Sequence, residues 1–294
     1  MHKPRFAMTP NNNFSILPFY ESLDEQNARK WWVFGRIYPL FTPAGYAPRF
    51  QIIIPYTTTE PSYVSGSSSV VNANTGTSYQ IPSATSSALT NSKKTFSGQK
   101  FSVFTYNAAN PIVSGTMREG RYYIKLRFSV DGTTKDFYSD VFTAIEDASQ
   151  YLKLTWWDDT DFVMDSGAIV YVIPGNQGTF KNVLYLPSDI AKPEYIFEEE
   201  GETRDGYFFP IKQISEKRYK FNFFSPEYLL DVLRFVRLSD HIEVYYQGKT
   251  YEVDSFLLTP EWEAQGDIAA VEAQFDSFTI AKKLGAGYTR TIIT

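Results

Sequence analysis

The chain contains no cysteine. That excludes a disulfide framework, thiol nucleophiles and thiolate metal sites. Histidine is almost as scarce, with only His2 and His241. A Ser-His-Asp triad would have to use His241, and no Gly-x-Ser-x-Gly elbow accompanies it. No run of about 18 apolar residues occurs, so no transmembrane helix and no membrane insertion are expected. Basic runs are missing too, Lys93-Lys94 being the one pair of note. With a net charge of -5 and a pI near 5.2, the chain offers no basic face to neutralise phosphates, so nucleic acid is not expected as a direct partner. No Walker or Rossmann glycine loop appears, and no cofactor is expected. The first ten residues lack the apolar segment of a secretory signal. Folding and assembly in a reducing cytoplasm is therefore the expectation.

Aromatic residues are abundant, at 17% of the chain with 24 Phe and 21 Tyr. They favour strands and also the centres of protein–protein interfaces. Hydrophobic residues at 43% and charged residues at 21% describe a chain with packed cores, and 294 residues suggest two domains. The expected fold is mainly β, with two β-sandwich-like domains. Residues 1–30 read as an N-terminal arm carrying Asn11-Asn12-Asn13. Residues 31–147 read as a sandwich resembling immunoglobulin and fibronectin III domains. Residues 148–294 read as a second β domain with one packed helix.

Within the first sandwich, 31–40 and 48–55 are strand candidates, the second bounded by prolines. The Ser/Thr-rich stretch 57–98 reads either as a linker or, preferably, as folded chain with short strands near Val70 and Tyr79. Tyr122, Ile124, Leu126, Phe128 and Val130 share one face of a half-buried strand. Asp131-Gly132 then turns the chain into a returning strand over 136–142. In the second domain, strands are expected over 152–158, 168–173, 182–186, 212–224, 241–246, 249–253, 256–260 and 268–275, with a hairpin at Gln247-Gly248. A helix is expected over 226–238, with Ser225 as its cap, Pro226 at its first position and Glu227 at its positive end. Tyr228, Leu229, Val232, Leu233 and Val236 form its packed stripe. His241 follows it, where the helix dipole favours a cation.

Two acidic clusters stand out. Asp158-Asp159-Thr160-Asp161 reads as a solvated turn, with a calcium site as the weaker reading because the twelve-residue loop pattern is missing. Glu198, Glu199, Glu200 and Glu202, followed by Arg204, read as an exposed loop, with a charged contact to a neighbouring subunit as the functional reading. Trp31, Trp32, Trp156, Trp157 and Trp262 are candidate glycan-stacking or interface aromatics. A paired-carboxylate glycosidase is the leading enzymatic rival, but the spacing it needs is not legible in sequence.

The segment from Glu198 through Gly206-Tyr207-Phe208-Phe209-Pro210 to Phe221, with Pro226-Glu227-Tyr228-Leu229 and Leu258-Thr259-Pro260-Glu261-Trp262, resembles a group of phage and prophage proteins from Bacteroides-type bacteria. Members lie among tail and baseplate structural genes. The resemblance covers about the last 145 residues and implies location in the virion, with no catalytic residue. Three functions are carried forward. The first is a non-enzymatic component of a phage tail, tail tip or baseplate, assembling with other virion proteins as a homo-oligomeric ring, with neck or connector as a variant. The second is a receptor-binding module that takes a host surface glycan. The third is an enzyme.

Overall fold

A computed structural model describes residues 15–28, 40–81, 89–96, 98–107, 111–113, 117–163, 169–172, 180–262, 268–277 and 281–284. The chain begins with β1 (Phe19–Tyr20), helix α1 (Leu23–Ala28), β2 (Phe41–Pro43), β3 (Phe50–Tyr56), β4 (Ser62–Tyr63), β5 (Ser69–Asn72) and β6 (Ser78–Gln80). It continues through β7 (Leu89–Phe96), β8 (Gln99–Tyr106), β9 (Gly120–Val130), β10 (Thr133–Ser139) and β11 (Phe142–Ile145). Next come β12 (Leu152–Trp157), β13 (Phe162–Val163), β14 (Ile169–Tyr171), β15 (Asn182–Leu186), β16 (Glu194–Arg204) and β17 (Tyr207–Pro226). Helix α2 (Glu227–Leu233) leads to β18 (His241–Tyr246), β19 (Lys249–Trp262), β20 (Ile268–Ser277) and β21 (Ala281–Leu284). The protein is mainly β, with several sheets.

Strand β9 behaves as its alternation dictates. Tyr122, Ile124, Leu126, Phe128 and Val130 are buried, while the residues between them are half-buried. It bonds to β10 and β11 along one edge and to β4 and β5 along the other. Asp131 (φ 46°) and Gly132 (φ 80°) close the β9–β10 hairpin, both in the left-handed region a tight two-residue turn demands. A three-stranded sheet, β3-β8-β7, faces this region, with the Phe104 and Phe128 ring centroids 4.6 Å apart. The short strands β5 and β6 confirm that the Ser/Thr-rich stretch is folded where it is described.

The principal sheet runs β1-β10-β9-β11-β2-β15-β12-β18-β19-β20-β17-β16. It passes without a break through the boundary expected at residue 147. Strand β2 lies parallel to β11 on one side and antiparallel to β15 on the other. One contiguous core follows the sheet, from Ile16, Leu17 and Phe19 through Leu154 and Leu184 to Phe221 and Phe275. Strand β19 pairs with β18 over Lys249–Glu252 and with β20 from Val253 to Trp262, with a bulge at Asp254 inside the second pairing. The strand expected over 256–260 is thus the distal part of a longer one.

Several expectations need correction. Residues 15–28 are part of the body: Ile16, Leu17 and Phe19 are buried and β1 pairs with β10, because three apolar side chains in four positions cannot stay in solvent cheaply. The α-helix ends at Leu233, and a 3-10 turn over Val236–Leu238 completes the packed stripe. Ser225 does not cap it. Pro226 holds the cap position, and the Ser225 hydroxyl, fully buried, donates to the Pro226 carbonyl instead. The acidic segment 198–204, expected as a loop, is the strand β16. The strand expected over 31–40 falls, except for Leu40, outside the described residues.

The end of β3 is tied to the facing sheet by a single carboxylate. Asp131 accepts hydrogen bonds from the backbone N–H groups of Thr57 (3.1 Å), Thr58 (2.9 Å) and Thr59 (2.8 Å). It also accepts from the hydroxyls of Thr57 (2.9 Å) and Thr58 (2.8 Å). These donors hold its carboxyl far below the usual carboxylate range. A depressed folded pKa stabilises the protein above the unfolded value, near 3.9, and that stabilisation fades as pH falls through the folded value. Asp131→Asn keeps a residue that tolerates positive φ. It is expected to lower the urea midpoint at pH 7, with the gap to the parent narrowing once pH drops below about 4.

Candidate functional site

Strands β16 and β17 form a long hairpin closed by Asp205 (φ 51°) and Gly206 (φ 80°). The register runs from Glu194 opposite Arg218 to Arg204 opposite Tyr207, with a bulge near Glu200 and Gly201. β16 is the last strand of the sheet path. On the other edge of β17, β20 pairs with Arg218–Pro226 and β21 with Lys212–Ser215.

The root of the hairpin is firmly held. Arg218 donates Nε and Nη2 to the two oxygens of Asp276 at 2.9 and 3.0 Å, and Ser255 adds a third bond to that carboxylate at 2.8 Å. Arg218 and Ser255 lower the Asp276 pKa. Lys220 pairs with Glu194 at 2.9 Å. The isolated bridge between Ile190 and Phe221 continues the pairing into the body.

Alternation decides what the hairpin presents. Tyr219, Phe221 and Phe223 point into the core and are buried. Lys217 and Ser215 lie on that same face of β17, and their register partners on β16 are Tyr195 and Phe197. The core has ended there, so Tyr195 is 61% exposed and Phe197 73% exposed. The Lys217 amine sits 5.6 Å from the Tyr195 ring centroid. Tyr207, beside the turn, is also 73% exposed. Isolated apolar side chains on a surface are ordinary. Two aromatics at i and i+2 on one face of a paired strand make a contiguous patch.

The acidic candidates lie on this hairpin. Glu198, Glu199, Glu200 and Glu202 are all exposed on β16. Glu198, Glu200 and Glu202 share the face opposite the aromatics, while Glu199 shares theirs. Charge along an end strand discourages indiscriminate edge pairing. Arg204 pairs through its backbone with Tyr207, and its side chain lies outside the described set.

The tryptophan candidates separate. Trp31 and Trp32 lie outside the described residues. Trp156 is 1% exposed and belongs to the core, which corrects its reading as a surface aromatic. Trp157 is already engaged: His241 stacks on it at 4.9 Å and the Lys181 amine lies 3.5 Å from its ring centroid. Trp262, 46% exposed at the end of β19, pairs with Ala269 and so lies toward the opposite end of β17 from the hairpin tip.

The Asp158–Asp161 segment is a set of ties rather than a freely solvated turn. Asp158 accepts from the Asp240 N–H at 2.8 Å and is buried, which pushes its carboxyl up. Asp159 lies 3.2 Å from the His241 ring, and Asp161 pairs with Lys94 at 2.8 Å. Among the described residues, no group of three or more His, Cys, Asp or Glu side chains is placed to hold a metal ion.

These placements separate the tryptophans energetically. Trp156→Ala is expected to cost about 3–5 kcal/mol through the cavity it leaves. Trp262→Ala is expected to stay within about 0.5 kcal/mol of the parent. Urea unfolding of both variants checks this.

Tyr195 and Phe197 of the patch, and the separately exposed Tyr207 beside the turn, were not candidates from sequence. The signal was present in Asp205-Gly206 flanked by Phe197-Glu198-Glu199-Glu200 and Tyr207-Phe208-Phe209, a turn dipeptide between two strand-like runs. No protein-family model, curated protein or solved structure matches the chain.

Proposed function

We propose that this chain is a non-enzymatic structural component of a phage particle, in the tail or its tip and baseplate, assembling with copies of itself in a ring. The observation that carries the reading is the rooted hairpin with Tyr195, Phe197 and Tyr207 exposed on it. Burying apolar surface contributes roughly 25 cal/mol per Å². A pair of aromatic rings, at about 150–250 Å² each, is therefore enough to anchor an interface. The acidic face beside them sets which neighbour fits. The likeness of the C-terminal half to phage and prophage tail proteins supports virion location and assembly in the bacterial cytoplasm. The absence of a catalytic constellation in the sequence supports a role through contacts alone. We further read the first half as an immunoglobulin- or fibronectin III-like sandwich, supported by the β9–β10 hairpin packed against β3-β8-β7.

A receptor- or glycan-binding module is the second reading, favoured by the exposed Trp262. A neck or connector protein would use the same hairpin at another station, which gold-labelled antibody on purified particles distinguishes by its position.

Sedimentation velocity tests the assembly role. The parent is expected to form a discrete oligomer at micromolar concentration. The Tyr195→Ser, Phe197→Ser double variant is expected to keep the parent's circular dichroism and thermal midpoint while sedimenting as a monomer. A parent that is monomeric throughout, or an oligomer untouched by the double variant, contradicts the proposal.

A further inference from the structure

Away from the hairpin, sheet register brings one row of side chains together on the face opposite the core. Phe41 on β2 is paired with Tyr185 on β15, Tyr185 with Lys153 on β12, and Lys153 with Tyr245 on β18. Leu152, Leu154, Leu184 and Val244 occupy the buried face of the same strands. The chain between β2 and β3, including Tyr46 and Arg49, folds over this row. The result is a cavity of about 370 Å³ lined by Phe41, Tyr46, Arg49, Lys153 and Tyr185 among others.

Its charge is unusual for a chain with a net charge of -5. Arg49 and Lys153 both line it, and Lys181 lies close enough to repel Lys153. Among the described residues, neither Arg49 nor Lys153 forms an ion pair. Arg49 makes one hydrogen bond, to the Lys181 carbonyl at 3.4 Å. Glu243, on the next rung of β18, is the acid that acts on Lys153 from a distance. Burial pushes both the Arg49 and the Lys153 pKa down, and it pushes the Tyr185 phenol up. Two half-buried cations facing one cavity without a carboxylate are an unfavourable arrangement that an incoming anion relieves.

We propose that this cavity binds an acidic sugar, with its charged group held by Arg49 and Lys153 and its ring against Phe41, Tyr46 and Tyr185. The guanidinium fork suits a carboxylate or phosphate group. The aromatic walls suit the C–H face of a pyranose. The volume lies at the low end of the roughly 300–1,000 Å³ of small-molecule sites, room for one or two sugar rings and not for a longer segment. The site shares no residue with the hairpin, so its fate and that of the assembly role are separable.

Titration of the full-length chain, followed by saturation-transfer NMR and calorimetry, tests this with N-acetylneuraminic acid, glucuronic acid, glucose 6-phosphate, neutral glucose and inorganic phosphate. At least one acidic sugar is expected to bind saturably, and the carboxylate and phosphate sugars together report which group is preferred. Glucose and inorganic phosphate are expected to bind at least about tenfold more weakly, since each lacks half of the recognition. Lys153→Gln and Arg49→Gln are each expected to weaken binding by about tenfold or more, the scale of one charged hydrogen bond. Lys135→Gln, on the distant β10, is expected to leave it unchanged. Lys153→Gln retains much of its stem, so it reports even if Arg49→Gln disturbs the loop. The proposal is overturned if no acidic sugar binds, if inorganic phosphate binds as tightly as the sugars, or if Lys153→Gln leaves binding intact.

Discussion

A strand longer than the core it serves must put the remainder somewhere, and β17 is such a strand. Its twenty residues span roughly 66 Å at about 3.3 Å per residue. Tyr219, Phe221, Phe223 and Ser225 pack its inner face into the body. The rest is carried outward with β16 on one edge and β21 on the other. The alternation that buries Phe221 and Phe223 continues past the core's edge, so the same face that is core at one end is exposed aromatic surface further along. Tyr195 and Phe197 are exposed by geometry that the packing of β17 imposes.

Such a surface is useful only if its base is rigid. The bidentate Arg218–Asp276 pair and the Ser255 bond fix β17 to β20 and β19 at the point where the hairpin leaves the body. Behind them, the principal sheet runs from β1 to β16 and the main core follows it from Ile16 to Phe275. The three residues of β2 pair with β11, and Phe41 among them also pairs with Tyr185 of β15, which carries the sheet across the middle. A preorganised aromatic patch loses little entropy on docking, which is what a repeating assembly contact requires.

The β9–β10 and β18–β19 hairpins were legible in the sequence because two local signals agreed, period-two alternation and the turn dipeptides Asp131-Gly132 and Gln247-Gly248. The hairpin that matters most carried an equal turn signal in Asp205-Gly206, but four glutamates beside it suggested a loop. Acidic residues are poor strand formers, and here tertiary pairing with β17 overrides that preference. Trp156 and Trp157 show a different limit. Adjacent strand residues point to opposite faces, yet composition does not say which face meets the core. The cavity at Arg49 and Lys153 was illegible for a third reason. Its row crosses β2, β15, β12 and β18, an order in the sheet unrelated to order in the chain.

The proposed role makes the hairpin face bearing Phe197 a contact surface within an assembled particle. A photo-activated crosslinking amino acid placed at position 197, followed by irradiation of purified particles and mass spectrometry, interrogates it directly. Crosslinks are expected from position 197 to a second copy of this chain or to an adjoining particle protein. Particles that contain the chain but yield no crosslink from position 197, while a crosslinker at a buried position such as 221 reacts within the chain, would contradict it.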